Sequence, residues 1–425
     1  MSRDAATHRA ILAAWRIEHP RLITSLARIL RDVPLAEELT QDALVAALER
    51  WPVTGVPERP GAWLMATARR RALDHLRRAA MLRRNHALVA HDLEAEQQAM
   101  PDLDSALDDD IGDEMLRLIF TACHPRLASD ARAALALRMV CGLTTGEIAR
   151  AFLVPEATIA QRIVRAKRTL TASGLSYETP RGEALAARLA SVLSVVYLIF
   201  NEGYTAARGD DWLRPQLCHQ ALRLGRILTA VAPGEPEVHG LLALMELNAS
   251  RAAARVDEDG EPILLMDQDR RLWDRLQIHR GLGALARARQ LTADRGDPSG
   301  GPYALQAAIV AQHARAATGA ETDWRAIAAL YEVLARIAPS PVVQLNRSIA
   351  MGMAEGPEAG LALLQPLLAE PSLRAYHLLP SVHGDLLQRL GRHAEARAAF
   401  EAAAALALNR REREMLQRRA RETPG

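Results

Sequence analysis

The chain has 425 residues, 49% hydrophobic but only 4% aromatic, with 53 basic and 51 acidic side chains and a formal charge of +2. That length suffices for about three domains with cores of their own, and its wealth of Ala, Leu and Arg favours helix and argues against an extensive sheet. Three separated cysteines, Cys123, Cys141 and Cys218, offer neither a disulfide framework nor a CxxC metal site, so buried thiols in a reducing compartment are expected.

The polar, charged stretch Met1–Arg9 does not read as a signal peptide. Residues 8–50 read as two helices, with Leu22, Leu26 and Ile29 among the core positions of the first. Pro34 interrupts, and Leu35–Trp51 resumes with Leu39, Ala43 and Ala47 inward and Glu37, Glu38, Gln41, Asp42 and Glu49 outward. An acidic outer side of this kind is either a solvated surface or a docking face for a basic partner. A loop over Pro52–Gly61 leads into a helix over Ala62–Arg84. Its apolar side carries Leu64, Ala68 and Ala72, and its other side Arg70, Arg71, Arg77 and Arg78 with Asp74 among them. Two arginine pairs a heptad apart form a stripe that can follow a phosphate backbone, and the apolar side lacks the bulky aromatics of a membrane anchor.

Residues 91–113 are strongly acidic, without a steady apolar period, and read as a linker. Helical pattern returns over Met115–Ala122 and Asp130–Cys141 and leads into Thr144–Leu170, two short helices joined at Leu153–Val154–Pro155. In the second of these, Ile159, Ile163, Ala166 and Leu170 form the inward stripe. Thr158, Gln161, Arg162, Arg165 and Arg168 lie opposite, pairing phosphate-binding arginines with side chains that read base edges. Periodicity alone leaves a DNA-reading helix and a solvated basic face both open.

Two stretches together decide between them. LAEELTQDALVAALERW (35–51) with PGAWLMATARRRALDHLRR (60–78) resembles region two of the extracytoplasmic-function sigma factors, promoter-specificity subunits of bacterial RNA polymerase, and residues 129–170 resemble region four. The resemblance implies an all-α chain: a region-two domain over 1–90, the acidic linker, and a region-four helix-turn-helix domain over 114–176. It implies that Glu38, Gln41 and Asp42 grip the clamp of the large polymerase subunit, with further contact to the flap. Trp63, Arg70, Arg71, Asp74, Arg77 and Arg78 would read the minus-ten element, and Thr158, Gln161, Arg162, Arg165 and Arg168 the minus-thirty-five element. Three positions depart from the family pattern. Arg70 stands where many members carry Asn, Val53–Gly61 lacks the usual Phe, and Leu153 replaces a common Gly.

Residues 180–425 read as helical throughout. The run Leu189–Phe200 is too short to span a bilayer and reads as a buried helix, so a soluble, cytoplasmic protein is expected. Near the end, Gly384, Leu387, Gly391, Ala396, Phe400 and Ala403 have tetratricopeptide spacing, with Trp324–Met353 and Pro357–Leu368 as degenerate pairs before them. The stretches YLIFNEGYTA (197–206), EVHGLLALMEL (237–247), MDQDRRLWDR (266–275), TDW (322–324) and SPVVQLNRSIA (340–350) resemble the helical domain fused to one subgroup of these sigma factors. That implies a regulatory domain with a protein or small-ligand partner. Carboxylates around Asn201–Glu202, Asp210–Asp211, Asp257–Gly260 and Asp267–Asp269 lack the ordered spacing of a calcium loop, and Asp259–Gly260 reads as a charged turn. No Ser/His/Asp set, phosphate loop or HExxH pattern is present, so the expectation is a non-enzyme with no catalytic residue, metal or cofactor. The alternative function is a helix-turn-helix activator with a helical sensor, which leaves Glu38–Asp42 and the Arg70–Arg78 stripe without a role.

Overall fold

The computed structural model describes residues 3–30, 32–87, 111–124, 126–151, 154–173, 180, 182–205, 213–258, 260–296 and 300–423. Among these the regular elements are helices, apart from one isolated bridge, Val256–Pro262, so the fold is all-α. Most of the acidic segment 91–113, together with Phe152, Leu153 and Asp210–Asp211, lies outside the described residues. The chain divides into two compact units, Met1–Val195 and Val196–Gly425.

The first unit holds α1 (Arg3–Leu30), α2 (Val33–Thr54), α3 (Pro60–Ala87), α4 (Ile111–Ala122), α5 (Ser129–Cys141), α6 (Thr145–Ala151) and α7 (Glu156–Ser173). Helix α2 begins where Asp32 Oδ1 accepts the Leu35 N–H at 3.0 Å. Pro34 occupies the first turn, where no N–H is needed, so it starts the helix rather than interrupting one. Helix α2 also runs past Pro52 to Thr54, leaving a shorter loop than the Pro-Gly composition suggested. Gly55, at φ +86°, ends it in a conformation that favours glycine. Trp51 is 1% exposed and meets the Trp63 ring edge-on at 5.3 Å, which joins α2 to α3. Helix α6 starts with a reciprocal capping box: Glu147 Oε2 accepts the Thr144 N–H at 2.8 Å, and Thr144 Oγ1 accepts the Glu147 N–H at 3.2 Å. Ile148, Ile159, Ile163, Ala166 and Leu170 are buried, as their spacing predicts.

Helices α1 and α5 pack together, with His19 (4% exposed) against the turn that closes α5. A Cβ at Gly142 would approach its Nδ1 to 3.0 Å, and Gly142 itself is left-handed at φ +63°. Burial, then the nearby Arg138 charge, hold the His19 pKa down to about 3 from an ordinary 6.5. The folded imidazole is therefore neutral, while the unfolded one gains a proton below about pH 6.5. Stability should fall as pH drops from 6.5 toward 3, by about 1.4 kcal/mol per unit from this group. Urea unfolding at pH 7 and pH 5 is expected to show a loss of about 2 kcal/mol that shrinks in His19→Gln. An equal loss in the variant would exclude His19 as its source.

Helix α8 (Glu183–Tyr204) contains the division between the units. Its 22 residues exceed the apolar run read from sequence and have the length and composition to cross a membrane. A buried core helix has the same profile, and Val192, Val195, Val196, Ile199 and Phe200 are each at most 1% exposed.

The second unit continues with α9 (Pro215–Val231), α10 (Pro236–Ala249), α11 (Arg275–Asp294), α12 (Pro302–Arg315), α13 (Trp324–Ile337), α14 (Pro341–Ala354), α15 (Pro357–Leu364), α16 (Leu378–Arg389), α17 (His393–Leu406) and α18 (Arg410–Glu422). From α12 onward each helix packs on its neighbour in sequence, the connectivity of stacked helical pairs. Five of these helices carry Pro in the first turn. Pro357–Leu368 forms one helix and a 3₁₀ turn rather than a pair, and α15 packs back on α14. There Gly360 lies so close to α14 that a Cβ would come within 2.7 Å of the Ser348 carbonyl oxygen.

Candidate nucleic-acid interface

On α3 the arginine stripe divides into two kinds of side chain. Arg70, Arg77 and Arg78 are exposed; Arg77 has only a loose 3.8 Å approach to Asp74. Arg71 is more enclosed, with Nη1 2.7 Å from Asp42 Oδ2 on α2. Trp63 is half-buried against Trp51, so part of its ring belongs to the core. Among the described side chains of α3, Arg70, Arg77 and Arg78 are the exposed part of the stripe.

On α7 the outward set is narrower than its wheel suggests. Gln161, Arg165 and Arg168 are exposed, whereas Thr158 is half-buried. Arg162 is 27% exposed and reaches Asp130 on α5 at 2.9 Å, which ties the reading helix to its support. Val164, 49% exposed, lies between the rows of Gln161 and Arg168, where an apolar side chain can touch a thymine methyl. Residue type hid it, since an isolated valine reads as core. Its place three residues after Gln161 and four before Arg168, the spacing of neighbours on one helix face, was the available signal.

Helix α2 corrects one expectation. Glu37 was placed with the acidic outer side, yet it is 1% exposed, whereas Glu38 and Gln41 are exposed and Asp42 is half-exposed beside Arg71. The Glu37 carboxylate turns toward the helix-turn-helix module, where Lys167 Nζ lies at 2.5 Å and Arg138 Nε at 3.6 Å. Gln41 Nε2 donates to Glu37 Oε1 at 2.9 Å. Burial without partners would make this charge very costly, so the two cations explain why Glu37 can face inward. A cleft of about 570 Å³ opens beside it, lined by Glu38, Gln41 and His75 on one side and Lys167 and Thr171 on the other.

In the second unit, the stretches that resembled a fused domain act as folding signals. Glu202 (5% exposed) accepts from Arg214 Nη1 at 2.8 Å. A Cβ at Gly203 would come within 2.7 Å of the Cys218 nitrogen. The Arg255 guanidinium stacks 3.6 Å over the Tyr204 ring and donates to the Tyr204 carbonyl. Glu237 caps α12 from α10, accepting the Tyr303 and Ala304 N–H groups at 2.8 and 3.0 Å. Its buried carboxyl is raised above the usual range by desolvation. Asp274, Asp323 and Ser340 cap α11, α13 and α14. Asp259 lies outside the described residues; beside it the Glu261 N–H meets Asp257 Oδ1 at 2.8 Å. Tyr197 donates to Gln306 at 3.2 Å, and Trp273 is buried, with the Arg270 guanidinium 5.0 Å over its ring. These contacts brace helix ends. Among the described residues no group of three or more His, Cys, Asp and Glu side chains converges as a metal site. Burial pushes the Cys123 and Cys218 thiols up to about 12, which makes them poor nucleophiles.

Residues 15–81 match the family Sigma-70 region 2 and residues 117–170 match Sigma-70, region 4. Residues 188–289 match a family of unknown function, DUF6596. The uncharacterized protein R00370 of Rhizobium meliloti (strain 1021) is 44% identical over 395 residues, covering 92% of this chain and 90% of its own. Two Mycobacterium tuberculosis (strain ATCC 25618 / H37Rv) proteins are each 28% identical over 172 residues, 40% of this chain. They are the probable ECF RNA polymerase sigma factor SigI, covered over 57% of its length, and the ECF RNA polymerase sigma factor SigL, covered over 92%. No solved structure matches the chain. Region two ahead of region four, both helical, is the module order of an RNA polymerase sigma factor. The chain belongs to one family with the Rhizobium protein, with which it shares nearly its whole length, and over two fifths of its length it is similar to the extracytoplasmic-function sigma factors.

Proposed function

We propose that this sigma factor grips the clamp of the large polymerase subunit through Glu38, Gln41 and Asp42 on α2. The same reading gives the minus-ten element to the α3 face around Arg70, Arg77 and Arg78, and the minus-thirty-five element to Gln161, Arg165 and Arg168 of α7. Arg71, Asp74, Trp63, Arg162 and Thr158 position those faces through their own contacts. The helices from α9 onward modulate this activity through a partner of their own. The observation that carries the reading is the order of the two modules: an acidic exposed face on α2, then a basic face on α3, then an exposed Gln/Arg face on a capped helix-turn-helix.

Sigma factors work by presenting core polymerase to a promoter, so no nucleophile or general base is needed from this chain. The arginines of α3 neutralise phosphates of a melted strand, and α7 contributes direct base readout. The test is binding of the full chain to purified core RNA polymerase, with Glu38→Ala/Gln41→Ala/Asp42→Ala as the comparison. Binding weakened at least tenfold by the triple substitution, with promoter-dependent transcription lost in parallel, is the expected result. No binding by the wild-type chain would sink it.

A further inference from the structure

The face of α2 that the proposed function assigns to polymerase is also the face against which the helix-turn-helix module is packed. Glu37 sits one residue from Glu38 and one helical turn from Gln41. Its carboxylate is closed off by Lys167 of α7 at 2.5 Å and by Arg138 of α5 at 3.6 Å. Gln41, itself exposed, donates to Glu37 at 2.9 Å. Glu38 and Gln41, both exposed, line the cleft whose far wall is Lys167 and Thr171.

A coiled-coil clamp presents two helices, each roughly 10 Å across. One that docks on Glu38 and Gln41 across this cleft meets Lys167 and Thr171 of α7 on its other side.

We infer that Lys167 is a latch: its ion pair with Glu37 holds region four over the polymerase-binding face of α2, and the chain binds core polymerase only after this contact opens. The inference rests on the polymerase-binding role proposed for α2. Arg138 is the secondary part of the latch, being farther from the carboxylate and also tied to the Leu143 carbonyl at 3.2 Å. The arrangement explains why an acidic side chain on this helix is buried: released from α7, Glu37 joins Glu38 and Asp42 on one continuous acidic face. Opening is a population shift, and a chain with about one molecule in a hundred open shows an apparent affinity about a hundredfold below its intrinsic one.

Lys167→Met in the full chain removes the charge while keeping the length of the side chain, and Lys167→Arg keeps both charge and reach. Lys167→Met is expected to bind core polymerase about tenfold more tightly than wild type and to speed amide hydrogen exchange over residues 36–44. Lys167→Arg should match wild type in both. Arg138→Met gives a smaller gain on the same carboxylate and serves if Lys167→Met does not fold. Unchanged or weaker binding by folded Lys167→Met, with the Glu38/Gln41/Asp42 variant still impaired, would overturn the latch and leave the sigma reading intact. Absence of binding by every form would overturn both together.

Discussion

Replacing Arg70, Arg77 and Arg78 with alanine is expected to weaken binding to single-stranded promoter DNA about a hundredfold at 0.1 M salt. The physical basis is counterion release. Each phosphate neutralised on a single strand adds about 0.7 to the slope of log K against log salt, so three contacts add about 2. Referred to 1 M salt, a slope of 2 is a factor of about one hundred at 0.1 M. The three side chains are exposed, and Arg77 keeps only a loose contact with Asp74, so their removal leaves the core of α3 untouched. Arg71 is left out because it ties α3 to Asp42 of α2 at 2.7 Å, and losing it would disturb two faces at once. The measurement is a salt titration of fluorescence anisotropy with a melted minus-ten oligonucleotide. A slope unchanged by the triple substitution would return the stripe to a solvated surface.

Phe400→Ala should destabilise the second unit by about 3–5 kcal/mol, measured by urea unfolding. The ring is 0% exposed, with the Arg419 guanidinium 4.2 Å over one face. It also meets α16 at a position with no side chain: a Cβ on Gly384 would lie 2.7 Å from the ring. Gly384→Ala therefore sets two effects against each other. Better helix propensity favours alanine by up to about 1 kcal/mol, while overpacking against a fixed ring costs about 1–3 kcal/mol, so a net loss is expected. Gly384→Ala with Phe400→Leu should lose less than the sum of the two single changes, because each relieves the other. Strict additivity would mean that α16 and α17 do not meet at this pair.

The C-terminal pair was legible because small residues and one aromatic at fixed spacing admit few packings. Gly384 lies beneath Phe400, Gly391 makes the turn at φ +74°, and Leu387, Ala396 and Ala403 are buried. The inward stripe of α7 was legible for the same kind of reason, since period 3.6 and β-branched residues mark a core side without reference to its partner. Caps were read less completely. Thr144–Glu147 follows a known local pattern, but Glu237 caps α12 from another helix, and no local rule finds a cap 66 residues away in sequence.

What the sequence determined by itself was the all-helical class, the two sigma modules in their order and the basic and polar faces of α3 and α7. Each of these depends on periodicity and residue type within one helix. What only the tertiary structure decided was which charges on those faces are free. Periodicity puts Glu37 outward with Glu38, and Arg71 and Arg162 beside the exposed arginines. Burial against Lys167 and Arg138, and pairing with Asp42 and Asp130, divide those sets. The reason is physical: a helical wheel fixes direction around one axis, whereas the free energy of a charge depends on which other helix stands in that direction.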